Sequence, residues 1–181
     1  MKFSGYRRSD GRVGIRNKVL ILPASICASD VARIVSEQVQ GTVTLHNLLG
    51  CSQTPVDQAC TLHALAGMAA NPNVYGTIVI SLGCENCQMD LVTKEIQKRC
   101  DKPLGTFIIQ KCGGTLHTVE EAVRCARQMV SDASCMKRVE ADLSELMIAT
   151  ECGGSDPTSG LAANPLVGAV SDEVVKAGGT A

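Results

Sequence analysis

The chain has 181 residues, of which 45% are hydrophobic and 19% charged, a composition that supports a packed core and excludes long disordered stretches. The 17 basic and 18 acidic residues leave a net charge of −1, and only 2% of the residues are aromatic. The sequence therefore predicts neither a nucleic-acid partner nor a surface that stacks on bases.

Short apolar runs alternate with helical patterns along the chain. In chain order, the predicted elements are a strand at 19–22, a helix near 29–38, a strand at 42–45, a helix that Thr54 caps and Pro55 begins, a strand at 76–82, a helix over about 89–99, a strand at 104–109 and a helix with a capping box at Thr118 and Glu121. The segment 143–149 fits either a strand or a helix, and Asn164-Pro165 begins a last helix that ends near Lys176. Because such alternation is typical of a parallel sheet covered on both faces, we expect an α/β fold, a Rossmann-like three-layer domain with a mostly parallel sheet.

The apolar stretches and the cysteine content indicate the compartment. No apolar segment follows the basic residues near the amino terminus, so no secretory signal is predicted. The longest uncharged run, 58–84, is broken by Asn71-Pro72-Asn73 and is not expected to cross a membrane. Ten cysteines in a chain of this size favour metal or redox chemistry in the cytoplasm over a secreted disulfide framework.

Four glycine–cysteine corners closely follow predicted strands, at 49–51, 82–85, 112–115 and 152–155. Because the carboxyl ends of parallel strands share one edge of a sheet, where ligands bind, we expect the four corners to face one crevice. The alternative for any one corner is a tight turn without a ligand.

Two of these corners precede helices, and the backbone N–H groups at helix starts bind carboxylates and phosphates. The predicted substrate-binding residues are Gly113, Gly114, Thr115, Gly153, Gly154, Ser155 and Asp156. Glycine permits the close approach of these amides to a ligand. Asp156 adds a carboxylate, which either ligates a cation or caps a turn.

Thiolates from several loops are typical of a site for iron or an iron–sulfur cluster. Cys84 and Cys87 have the C-x-x-C spacing of metal sites and, more weakly, of thioredoxin-like motifs. There is no second C-x-x-C pair, so a structural zinc ribbon is not expected. An iron with an open position acts as a Lewis acid on a substrate hydroxyl.

A histidine and several arginines are further candidates. His46 ends a predicted strand, where it serves as a metal ligand or a general base, the alternative being a core or surface histidine. The amino-terminal segment 1–17 is rich in Arg and Gly, and guanidinium groups bind carboxylates in bidentate geometry. The alternative for this segment is a solvated basic arm.

Taken together, these segments resemble the altronate/galactarate dehydratase family of sugar-acid hydro-lyases, which also includes the large subunit of sulfolactate sulfo-lyase. The matching pieces are GYRRSDGRVGIRN (5–17), His46 with Gly50-Cys51, NPNVYG (71–76), SLGCEN (81–86), Gln110 with GGT (113–115) and ECGGSDPTSGLAANPLVGAVSDEVVKAGGT (151–180). Members of the family are considerably longer. The resemblance therefore implies that 1–181 is a single α/β domain, the amino-terminal part of a longer catalytic region.

The resemblance also implies a site and a reaction. The cofactor is iron, as Fe²⁺ or an iron–sulfur cluster, or another divalent metal, and the metal ligands are Cys51, Cys84, Glu85 and Cys152. The reaction is an α,β-elimination that dehydrates a sugar acid to a 2-keto-3-deoxy acid, with His46, Arg12 and Arg16 as catalytic residues. The alternatives are the elimination of sulfite from sulfolactate and a non-catalytic ligand-binding or thiol-redox module.

The expected partners follow from the same resemblance. They are a small hydroxy-acid substrate, the remainder of the catalytic chain, a small separate domain or subunit, and further copies of the chain in a homo-oligomer. The 181-residue chain is expected to be inactive alone.

Overall fold

The computed structural model describes residues 2–154 and 156–181. In chain order its elements are β1 (Lys2–Arg7), β2 (Val13–Gly14), β3 (Lys18–Pro23), α1 (Ile26–Gln38), β4 (Thr42–Thr44), α2 (Pro55–Ala70), β5 (Val74–Ser81), α3 (Met89–Gln97), β6 (Leu104–Ile108), α4 (Thr115–Cys135), β7 (Val139–Asp142), a 3-10 turn (Leu143–Glu145), a π-helical turn (Ser159–Ala163) and α5 (Asn164–Lys176). The predicted strands and helices up to residue 108 are all present, within a few residues of their expected bounds.

A parallel sheet of four strands, in the order β4-β3-β5-β6, forms the centre of the fold. The chain moves outward from β3 to β4 and then crosses back to β5 and β6. The direction of winding therefore reverses between β3 and β5. In open α/β sheets, ligands bind in the crevice outside the carboxyl ends of the strands at such a reversal.

Helices cover both faces of this sheet, as the alternation of buried residues along β3 shows. Val19 and Ile21 pack in one core with residues of α1 and α4, and Leu20 and Leu22 pack in a second core with residues of α2 and α3. Strands that are buried on both faces are continuous apolar runs, which is why β3 and β5 are readable from sequence. The predicted three-layer α/β fold is confirmed.

A second, antiparallel sheet of order β2-β1-β7 joins the amino terminus to the segment after α4. Lys2 pairs with Asp142 and Gly5 with Val139. This sheet is absent from the predicted elements. β1 and β7 are largely exposed and β2 has only two residues, so these strands lack the apolar runs by which the other strands are recognised.

Two local predictions are wrong. Thr118 does not cap α4, because the left-handed backbone of Gly113 and Gly114 (φ 83° and 103°) lets the helix begin at Thr115. Thr118 is instead buried, and its hydroxyl donates to the Gly114 carbonyl at 2.8 Å. The segment 143–149 is neither a strand nor a helix: it contains the 3-10 turn and an isolated bridge between Met147 and Thr180.

The last helix, α5, begins at Asn164 and ends at Lys176, as predicted. Val174 is its one buried residue, and Leu166 and Val170 on it are exposed. Among the described residues, no helix combines the length and apolarity needed to cross a membrane.

Candidate functional site

Three of the four glycine–cysteine corners lie together at the carboxyl edge of the parallel sheet. The backbone N–H of Cys87 donates to the Gly50 carbonyl at 2.9 Å, which joins the loop after β4 to the loop after β5. The N–H of Gln110 donates to the Leu82 carbonyl at 3.1 Å and joins the loop after β5 to the loop after β6. The structure therefore brings the corners 49–51, 82–85 and 112–115 to one edge, as the parallel topology predicts.

Gly50 allows the first corner to pack directly on the end of β3. Its backbone is left-handed, with φ 95°, and a Cβ atom at this position would lie 2.2 Å from the Ala24 carbonyl oxygen. Only glycine fits such an approach without movement of the backbone.

The carboxylate of Glu85 organises the second corner from within. The residue is 1% exposed and accepts hydrogen bonds from the backbone N–H groups of Leu82, at 2.8 Å, and Gly83, at 2.5 Å. The Ser25 hydroxyl, at the start of α1, lies 3.4 Å from the same carboxylate. Burial raises the pKa of Glu85, but the hydrogen bonds from backbone amides outweigh it and hold the pKa below its ordinary value.

This arrangement bears on the predicted role of Glu85 as a metal ligand. Both carboxylate oxygens already accept hydrogen bonds from the chain's own amides. The side chain points into the protein, and its observed contacts are those of a residue that shapes the 82–85 loop.

The cysteines at this edge differ in accessibility. Cys84 is exposed, Cys51 is half-buried and Cys87 is fully buried. Cys27, in the first turn of α1, is also exposed; it was not among the predicted site residues, although it follows β3 as closely as the other corners follow their strands. Within residues 2–154 and 156–181, no group of three or more His, Cys, Asp or Glu side chains is placed to share a metal ion.

The fourth corner does not join the other three. Cys152 is exposed and its sulfur contacts the carbonyl of Gly154 in its own loop. Asp156 accepts a hydrogen bond from the N–H of Ser159 at 3.0 Å, so it caps the π-helical turn. Ser155 lies outside the described residues. The expectation of a common crevice fails here because no strand of the parallel sheet precedes this corner.

The amino terminus of α4 presents unpaired backbone amides at the carboxyl edge. Its cap, Gly114, supplies no side chain, and the first turn carries no acidic residue. The N–H of Thr118 is the first to bond back within the helix, to the Gly114 carbonyl at 3.1 Å. The N–H groups of Thr115, Leu116 and His117 therefore lack partners inside the helix and carry the positive end of its dipole.

His46 lies on the loop between β4 and the first corner, and its side chain is exposed. The neighbouring Asn47 holds this loop in place, since its amide donates to the Pro23 carbonyl at 3.1 Å and accepts from the Leu49 N–H at 3.0 Å. The structure thus places His46 at the same edge as the three corners.

Arg12 and Arg16 lie at the opposite, amino edge of the sheet. Arg12 donates to the carbonyl of Ala70, the last residue of α2, and is paired with Asp10 at 2.7 Å. The backbone N–H of Arg16 donates to the Asn73 side chain just before β5. The structure does not bring these two arginines to the corners.

A cleft of about 700 Å³ also lies at the amino edge. Its wall includes Arg12, Met147 and Glu145. Because Arg12 is paired with Asp10 at 2.7 Å and Glu145 with Arg7 at 2.8 Å, the charges at this cleft are already neutralised.

The arginine-rich segment fastens the small sheet to the parallel sheet. Arg8 is 8% exposed and donates to the carbonyls of Pro72, at 2.7 Å, and Arg16, at 3.2 Å. Burial lowers the pKa of Arg8 and the nearby Asp10 partly restores it. The alternative of a solvated basic arm is therefore wrong for this residue.

We expect Arg8→Ala to lower the free energy of unfolding by about 2–3 kcal/mol, because it removes a buried side chain and leaves two part-buried carbonyls without their charged donor. Urea unfolding measures this change. Arg33→Ala is the matched control, since Arg33 is exposed on α1 and pairs only with its helical neighbours Asp30 and Glu37, and a change within about 0.5 kcal/mol is expected. Equal effects of the two substitutions would contradict the fastening role of Arg8.

Comparison with known proteins identifies two family models along the chain. Residues 5–134 match the model described as D-galactarate dehydratase/Altronate hydrolase, second domain. Residues 143–181 match the model described as D-galactarate/Altronate dehydratase, C-terminal. The boundary between the two models falls between α4 and the 3-10 turn, within a chain whose sequence predicts one domain.

Three relatives illustrate the similarity. The chain is 39% identical to (2R)-sulfolactate sulfo-lyase subunit beta of Chromohalobacter salexigens, over 98% of this chain and 45% of the relative. It is 35% identical to altronate dehydratase of Escherichia coli, over 97% of this chain and 37% of the relative. It is 31% identical to galactarate dehydratase (L-threo-forming) of the same organism, over 98% of this chain and 38% of the relative. The chain spans less than half the length of each.

Proposed function

Since this chain belongs to the D-galactarate dehydratase/altronate hydrolase family, we propose that it forms part of a metal-dependent lyase that dehydrates a sugar acid to a 2-keto-3-deoxy acid. The reaction is an α,β-elimination. A base removes the proton next to the carboxylate, the enediolate is stabilised, and an acid assists the departure of the 3-hydroxyl as water. Altronate and galactarate are the substrate types in the names of three relatives.

The observation that carries this proposal is the meeting of three glycine–cysteine corners at the carboxyl edge of the parallel sheet. This is the edge at which α/β proteins bind their ligands. The free amides at the start of α4 lie at the same edge and suit a substrate carboxylate. Gly113, Gly114 and Thr115 are therefore the proposed substrate-binding residues.

His46 is the proposed acid or base at this edge. It is exposed, so a substrate can reach it, and Asn47 fixes the loop that carries it. An imidazole can exchange a proton near neutral pH, as the elimination requires. The geometry offers no comparable support for Arg12 and Arg16, which lie at the amino edge.

The proposed metal site is only partly formed by the residues of this chain. Cys51 and Cys84 are two soft donors at the proposed edge, which suits iron. Glu85 is engaged by amides and Cys152 lies on an exposed loop, so the four ligands implied by the sequence do not form a set in this chain. Iron dependence is therefore a proposal for experiment.

The second candidate is the elimination of sulfite from sulfolactate. It is favoured by the relative at 39% identity, whose name gives this activity. The same carboxylate-binding amides serve both substrates, because both reactions begin by loss of the proton next to a carboxylate. That relative is also named as a subunit, so we propose a further domain or subunit as a partner, together with the remaining catalytic chain.

The test is a substrate screen of the whole polypeptide that contains this chain, with hexonates, hexarates and sulfolactate, purified without oxygen and supplied with Fe²⁺. We expect turnover of one class, and we expect Cys84→Ser to lower kcat/KM by about 100-fold through loss of a metal ligand, with a matching loss of bound iron. Cys135→Ser is the control, since that cysteine is exposed at the end of α4.

Three outcomes separate the alternatives. Full activity of a metal-free enzyme would refute the metal dependence. Turnover of sulfolactate alone would select the second candidate. If no substrate is turned over and the thiols are oxidised and reduced reversibly, the non-catalytic thiol-redox module is favoured.

A further inference from the structure

We propose that Cys51 and Cys87 form a reversible disulfide that locks the loop after β4 to the loop after β5. The family resemblance implies no disulfide between these two residues, and it assigns no role to Cys87. The inference concerns a modification site, and it stands independently of the proposed lyase activity.

The backbone geometry sets the distance between the two residues. The Cys87 N–H donates to the Gly50 carbonyl at 2.9 Å, and Cys51 follows Gly50 directly. In a planar trans peptide the carbonyl oxygen lies about 2.8 Å from the next Cα, and N–Cα is about 1.5 Å, so the two Cα atoms are at most about 7 Å apart. Disulfides span Cα separations of about 4.4–6.8 Å, so this upper bound lies at the edge of the range that a disulfide can bridge.

Further contacts hold the two loops in this register. The Ser52 N–H donates to the Asn86 side chain at 2.7 Å, and the Gln58 side chain donates to the Asn86 carbonyl at 2.5 Å. The Cys87 thiol lies 3.9 Å from the side-chain oxygen of Gln53, and that oxygen also accepts from the Gly50 N–H at 3.0 Å.

The C-x-x-C partner, Cys84, is placed differently. Cys84 is exposed whereas Cys87 is 0% exposed. Between them lies Glu85, whose buried carboxylate accepts from the amides of Leu82 and Gly83. The proposal therefore pairs the buried Cys87 with Cys51, and the thioredoxin-like pairing with Cys84 is the alternative that the experiment below tests.

The accessible thiol reacts first. The half-buried Cys51 thiolate attacks a low-molecular-weight disulfide such as oxidised glutathione, breaking its S–S bond and releasing one glutathione thiol. Cys87 then gives up its proton and attacks the Cys51 sulfur, and the second glutathione leaves as a thiol. Two protein thiols are oxidised and one glutathione disulfide is reduced. If Cys51 also binds a metal, the oxidised form lacks that donor.

The experiment maps the linkage by mass spectrometry in the intact protein, without metal or substrate. The protein is treated with oxidised glutathione, remaining thiols are blocked with iodoacetamide, and a protease that cleaves after Asp and Glu is applied. Cleavage after Glu37, Asp57, Glu85 and Asp90 places Cys51, Cys84 and Cys87 on the separate peptides 38–57, 58–85 and 86–90. We expect 38–57 to be linked to 86–90, and dithiothreitol to release them.

Two variants sharpen the test. Cys84→Ser is expected to keep the linkage, and Cys87→Ala is expected to abolish it and leave glutathione bound to Cys51. A linkage between 58–85 and 86–90, or a wild-type protein in which Cys51 stays glutathionylated while Cys87 is alkylated, would overturn the proposal. If Cys87→Ala does not fold, the peptide map of the wild-type protein still tests the proposal. Neither measurement depends on lyase activity.

Discussion

Glu85→Ala is expected to lower the free energy of unfolding by about 2–4 kcal/mol, because it removes a buried carboxylate and leaves two part-buried N–H groups, those of Leu82 and Gly83, without their acceptor. The carboxylate is 1% exposed, so water does not replace it easily. Urea unfolding measures the loss. Glu120→Ala is the matched control, since Glu120 is exposed on α4 and pairs only with Arg124, and a change within about 0.5 kcal/mol is expected.

The same carboxylate makes stability depend on pH. The pKa of Glu85 is lowered in the folded protein relative to its ordinary value of 4.5. Its contribution to stability is therefore fully present above pH 4.5 and is lost as the pH falls through the folded pKa. Glu85→Gln, which does not titrate, is expected to show a shallower loss of stability in this acidic range. Equal slopes for wild type and Glu85→Gln would contradict the assignment.

Gly50→Ala is the second substitution for which we expect a large loss of unfolding free energy. The new Cβ would lie 2.2 Å from the Ala24 carbonyl oxygen, and the left-handed backbone adds strain. Together these are expected to cost about 3–5 kcal/mol of unfolding free energy. Because the Gly50 carbonyl accepts from Cys87, the shift also loosens the contact between the two cysteine loops.

Gly11→Ala separates the two causes of this loss, backbone strain and steric clash. Gly11 has a similar φ of 85°, but a methyl group added there would meet no atom within 4 Å, so only the backbone strain of about 1–2 kcal/mol is expected. A Gly50→Ala variant that loses no more stability than Gly11→Ala in the same urea series would show that the loop after β4 does not pack on β3 as described.

The parallel sheet is the part of the fold that sequence reasoning predicts well. β3, β5 and β6 are short, largely apolar runs that are each followed by a helix, and each such run can be recognised without knowledge of the rest of the chain. The small sheet is different, since β1 and β7 pair across more than 130 residues of chain. Nothing within either short, exposed segment predicts that pairing.

The candidate site divides in the same way. The sequence predicts four glycine–cysteine corners at one edge, and the three that follow parallel strands do lie there, because parallel strands place their carboxyl ends together whatever the loops contain. Only the fold turns Glu85 inward, places Arg12 at the opposite edge and sets the Cys87 N–H against the carbonyl that precedes Cys51. The placements of Arg12 and Cys87 depend on contacts between segments far apart in the chain, and spacing along the chain carries no information about such contacts.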